Sequence, residues 1–100
     1  MSYLVCYGSI SFLSNENKEI IIIERDPIIG KCLKEITLSE ADLEYIAGCL
    51  LIVDHFTIRL RSGLMVQKSS KSDVKFSHKG KNINVKPVNI KAFVKEMENR

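Results

Sequence analysis

The residues of this chain best suited to chemistry are seven cations in its C-terminal half: Arg59, Arg61, Lys68, Lys71, Lys75, Lys79 and Lys81. Several stand in runs that alternate apolar and polar residues, as in Phe56-Thr57-Ile58-Arg59-Leu60-Arg61 and Val74-Lys75-Phe76-Ser77. On a β-strand, side chains two apart share a face. A pattern that buries Phe56, Ile58, Leu60, Val74, Phe76, Ile83 and Val85 therefore sends Thr57, Arg59, Arg61, Lys75, Ser77, Lys79, Asn82 and Asn84 to the other side. No carboxylate is among those eight. Guanidinium and ammonium groups on a rigid sheet can each contact a phosphate and release its counterions, which is the source of sequence-independent affinity for DNA or RNA. The polar loop at 68–75 would extend the grip. The competing reading is a solvated face kept charged to deter edge-to-edge strand pairing.

Other chemistries find less footing. Asp54-His55 near Cys49 has the residue types of a thiol nucleophile and its base, but Cys49 falls inside a helical pattern with no oxyanion-hole glycines nearby, so no enzyme is expected. His78 stands alone among lysines. Gly63 and Gly80 read as hairpin turns and not as a phosphate-cradling loop, and no His, Cys or carboxylate spacing fits a metal, so neither metal nor cofactor is expected. Cys6, Cys32 and Cys49 lack any Cys-x-x-Cys spacing and read as reduced core thiols. Stacking of unpaired bases needs exposed rings. Phe56, Phe76 and Phe93 fall on core positions, which leaves Tyr3 and Tyr7 on one face of the first strand, where burial with a hydrogen-bonded hydroxyl is an equal alternative.

These side chains must be positioned by a small scaffold. One hundred residues, 45% of them apolar, suffice for one core and one domain, 1–100. The most apolar stretch, 46–53, is too short to span a bilayer, and no basic segment precedes an apolar one at the start, so a cytoplasmic protein without membrane contact is expected. The net charge of +3 hides a split. Residues 1–54 carry four basic and nine acidic side chains, and residues 55–100 carry eleven basic and three acidic. Such polarity attracts polyanions, an acidic protein partner, or a second copy in a homodimer.

Tyr3 to Leu13 reads as one strand with a possible bulge at Gly8, and Ile20-Ile21-Ile22-Ile23 as a strand apolar on both faces, suited to a central place in a sheet. Ser39 with Asp42 three residues on marks a helix N-terminus, followed by the stripe Leu43, Ile46, Ala47 and Leu50. After Asp54 the pattern starts again, with Ser62-Gly63 as a two-residue hairpin signal and Pro87 at the first position of a second helix. Residues 36–50 lie over residues 83–97 without gaps, apolar on apolar, with Asp42 answered by Asn89. The expectation is an α+β fold of tandem β-β-β-α units, halves 3–54 and 55–100. It would form an antiparallel sheet with two helices packed on one face, or two short sheets back to back.

The order of strands, an Ile-x-Leu ending, then a helix, carried by residues 34–50 and 81–97, resembles the core unit of single-stranded-DNA-binding transcription coactivators of the positive-cofactor type and, more distantly, the Whirly family. The resemblance implies a dimer-like sheet platform for unpaired DNA. Taken together, the expected function is non-enzymatic nucleic-acid binding, in a regulatory role or otherwise, through the seven cations. The alternative is a protein-interaction subunit or inhibitor that docks or self-associates through its acidic and basic halves.

Overall fold

The computed structural model describes residues 3–99; Met1, Ser2 and Arg100 lie outside the described residues. Four strands and a helix occur in the same order twice. The first set is β1 (Tyr3–Tyr7), β2 (Ile10–Ser14), β3 (Glu19–Arg25), β4 (Cys32–Ser39) and α1 (Glu40–Ile52). The second is β5 (Phe56–Arg59), β6 (Met65–Lys68), β7 (Val74–His78), β8 (Lys81–Val85) and α2 (Pro87–Glu98). Each set of strands forms its own antiparallel meander, β1-β2-β3-β4 and β5-β6-β7-β8.

The architecture is thus α+β and antiparallel, with two sheets in place of one. The first half has a strand more than its sequence pattern suggests, because Gly8 turns the chain back where a bulge was expected. Tyr7 pairs with Ile10 across Gly8-Ser9, and Gly8 sits at φ +65°. That is the left-handed conformation a two-residue hairpin of type II′ demands at its first central position. In the second half, Ser62-Gly63 is part of a three-residue connection. The Leu60 N–H donates to the Leu64 carbonyl at 2.8 Å, and Gly63 takes φ +93°.

Alternation decides the core. The first sheet turns Phe12, Ile20, Ile22, Ile36 and Leu38 inward, and the second turns Val66, Val74, Phe76, Ile83 and Val85 inward. With Leu43 and Ile46 of α1 and Ile90, Phe93, Val94 and Met97 of α2, these form one buried cluster. The helices lie against each other, and β4 runs beside β8, where the Lys34 ammonium donates to the Asn82 carbonyl at 2.9 Å. Ser39 caps α1, its Oγ accepting from the Asp42 N–H at 3.1 Å. Lys86, which occupies the same place before α2, makes no such bond, and Pro87 removes one of the N–H groups that would need it.

An aromatic stack joins the halves. Phe93 of α2 lies on Phe12 of β2 with centroids 4.8 Å apart and on Tyr3 of β1 at 6.2 Å. The second helix therefore finishes the core of the first sheet.

Candidate nucleic-acid interface

Register places the outward side chains of the second sheet in two rows. Thr57, Gln67, Lys75 and Asn84 form one, and Arg59, Met65, Ser77 and Asn82 form the other. All eight lie opposite the core row of Ile58, Val66, Phe76 and Ile83. The face is uncharged except for Arg59 and Lys75, which stand on β5 and β7 about 12 Å apart by strand spacing and rise. Between them are only amides, hydroxyls and one thioether.

The seven cations are distributed unequally around this face. Arg61, in the β5–β6 connection, and Lys79, in the β7–β8 turn, sit at the end of the sheet next to the Arg59 row, both exposed. Lys79 at φ +52° and Gly80 at φ +81° form a type I′ turn between the paired His78 and Lys81. Lys71, at φ +74°, is exposed in the loop at the other end, beyond the Lys75 row. Two lysines are displaced from the group. Lys81 lies on the side of Ile83 and Val85, at the end of β8. Lys68 shares the side of Phe56, and its ammonium donates to the carbonyls of Asp54 and Ser69, each at 3.0 Å. None of the seven is paired with a carboxylate among the described residues.

The loop at 68–75 is stitched closed. Ser69 N–H donates to Ser72 Oγ at 2.9 Å, Ser72 N–H returns to the Ser69 carbonyl at 3.1 Å, and Ser70 Oγ donates to Asp54 at 3.1 Å. Hydrogen bonds from His55 and Ser70 hold the exposed Asp54 carboxyl below its ordinary pKa. The loop and the Lys75 row enclose a shallow depression of about 530 Å³ lined by Gln67, Ser69, Ser72, Asp73, Lys75 and Asn84. At the far corner, Arg59 and Arg61 share a groove with Glu19, Asp42 and Tyr45, so carboxylates bound the basic surface there.

No family model, curated protein or solved structure matches the chain.

Tyr3 and Tyr7 are turned away from this surface, whereas the exposed Tyr45 of α1 lines the groove shared with Arg59 and Arg61. Tyr3 stacks on Phe93 and donates from its hydroxyl to Glu96 at 2.7 Å. Tyr7 meets Phe12 edge-on at 5.7 Å, and burial, then the charges of Glu96 and Tyr3, raise its pKa above the usual phenol value. Neither outward row of the second sheet contains a ring. The cysteine reading also needs correction: Cys6 and Cys32 are exposed and Cys49 is half-buried, all three free. Cys6 points outward from an edge strand, and Cys32 opens β4 beside the exposed 26–31 hairpin.

The pattern did not reveal the outer face of the first sheet. Its rows are Leu4, Leu13, Ile21, Thr37 and Cys6, Ser11, Ile23, Glu35. The all-apolar run Ile20 to Ile23 was the signal. It reads as burial on both faces; Ile23 and Ser11 on the second one are nearly buried, while Leu13 and Ile21 beside them are only half-buried.

Proposed function

We propose that this protein binds nucleic acid non-enzymatically through the phosphate backbone, using the outer face of the second sheet and its two ends. The supporting observation is the pair of outward rows, with Arg59 and Lys75 among amides and hydroxyls, no carboxylate, and Arg61, Lys79 and Lys71 flanking. Such a face offers point charges at fixed spacing and hydrogen-bond donors between them, which phosphates accept. The likeness of residues 34–50 and 81–97 to the coactivator and Whirly-type DNA-binding units points toward the same ligand. The two outward rows carry no ring, which favours backbone contact over base stacking there, and the one exposed tyrosine near the cations is Tyr45, beside Arg59 and Arg61. Three free thiols suit a reducing compartment such as the cytoplasm. Of the seven cations, Arg59, Arg61, Lys71, Lys75 and Lys79 form the working set, while Lys68 and Lys81 lie off the face.

Titration of labelled oligonucleotides across salt tests this. Log affinity should fall linearly with log salt, and Arg59→Glu with Lys75→Glu should lower the slope by roughly 1.4 to 1.8, two phosphate contacts at about 0.7 to 0.9 each. An unchanged slope and affinity in a folded double variant refutes the reading.

A further inference from the structure

The two sheets occupy equivalent places in the two halves, yet their outer faces differ in kind. On the second sheet that face is polar. On the first it presents Leu4, Leu13, Ile21 and Ile23, with Thr37 and Glu35 confined to the edge strand β4. Ile23 and its cross-strand neighbour Ser11 are only 7% and 1% exposed, so the accessible part of the face is the row of Leu4, Leu13 and Ile21. Beyond the face, the hairpin between β3 and β4 projects Ile28 and Ile29, 91% and 71% exposed. Leu4 on this face is about half exposed, as is Leu33 at the register irregularity of β4. A solvated sheet face has no need of so many branched aliphatics, and an apolar row of exposed Leu4 and half-buried Leu13 and Ile21 is the kind of surface that marks an interaction site.

We infer that this face is the contact between two copies of the chain, packed sheet on sheet with their β3 strands antiparallel. The charges along β3 specify the arrangement. Glu19 and Arg25 lie on the outer side, three residues before and three residues after Ile22. A twofold axis running between the sheets, across the strands at the level of Ile22, sets Glu19 of each copy over Arg25 of the other. It also sets Ile21 of each over Ile23 of the other. The same operation brings Leu4 over Cys6, Leu13 over Ser11 and Thr37 over Glu35, so no two like charges meet. Arg25 has one long internal bond, to the Gly30 carbonyl at 3.4 Å, and keeps its other donors. Glu19 accepts from the Asn15 amide at 3.3 Å and pairs with no cation among the described residues. An isologous contact needs this kind of self-complementarity, since each residue must meet its partner twice.

Size sets the strength. Four strands at ~4.8 Å spacing and about six residues at ~3.4 Å give a face of roughly 400 Å² in projection. Stable dimers bury about 800 Å² per partner, so this pair is expected to be weak and dynamic. The contact reaches the groove where Glu19 meets Arg59 and Arg61, while Lys75 and the loop at 68–75 lie outside it.

Sedimentation equilibrium of the full chain without nucleic acid, over a concentration series of about 1 to 300 µM, tests the inference separately from nucleic-acid binding. The expected result is a monomer–dimer equilibrium that Ile21→Lys weakens at least tenfold. Glu19→Arg alone and Arg25→Glu alone should each weaken it several-fold, and the combined swap should restore most of the loss. A chain monomeric throughout the range overturns the inference, since the face then serves another partner or none. A dimer indifferent to Ile21→Lys, or one the swap does not rescue, overturns this face or this register. Circular dichroism of each variant, together with the milder Ile21→Thr, separates lost association from lost folding.

Discussion

Replacing Phe93 by alanine asks most directly whether the halves depend on each other. Phe93 belongs to the helix of the second half, is fully buried, and stacks on Phe12 and Tyr3 of the first sheet. A buried phenyl ring removes at least 150 Å² from water, about 4 kcal/mol at ~25 cal/mol per Å². Measured Phe→Ala costs in cores run about 3 to 5 kcal/mol, and part of any loss here is the ring–ring term of about 0.5 to 1.5 kcal/mol. A domain of this size has a total stability of about 5 to 15 kcal/mol, so the variant should lose a large fraction of it. Urea unfolding followed by circular dichroism and by tyrosine fluorescence, the chain having no tryptophan, should give coincident single transitions shifted by that amount. Phe93→Leu should cost about a third as much, and a double-mutant cycle with Phe12→Leu should return a coupling of about 1 kcal/mol. A loss below about 1 kcal/mol, or a first sheet that melts separately from the second, would refute the reasoning that α2 completes the core under β1 and β2.

Ser39→Ala should cost about 1 kcal/mol, because the Asp42 N–H loses its acceptor at the start of α1, whereas Lys86→Ala before α2 removes no cap; thermal melts compare the two. Absorbance titration of the tyrosines should show Tyr7 ionising above its ordinary value. Because the folded pKa is raised, its contribution to stability is complete below about pH 10 and is lost as pH rises through the folded value, and Tyr7→Phe should remove that late phase. Lys75→Ala should cut the salt slope of oligonucleotide binding by about 0.7 to 0.9 and Lys68→Ala should leave it nearly unchanged, since the Lys68 ammonium is spent on the carbonyls of Asp54 and Ser69. Equal slopes for these two variants would refute the distinction between Lys75 on the face and Lys68 off it.

Much of this protein is legible without coordinates, because strand alternation is a local property. Successive side chains of a strand leave on opposite faces whatever surrounds it. Phe56, Ile58, Val74, Phe76 and Ile83 therefore fix where Thr57, Arg59, Lys75 and Asn82 must point. Ser39 with Asp42 announces the start of α1 for the same reason, since a cap satisfies backbone donors within one turn. Tertiary structure alone decided the rest. Gly8 as a bulge and Gly8 as a hairpin leave the same trace in the sequence, and only pairing of Tyr7 with Ile10 turns one strand into two. Whether Lys68 faces a ligand or its own loop depends on where Asp54 and Ser69 place their carbonyls. The run Ile20 to Ile23 states that both faces of β3 avoid water, but the sequence does not name the surface that covers each. The helix of the opposite half helps cover one face, because burial belongs to neighbours distant in the chain and not to the strand itself.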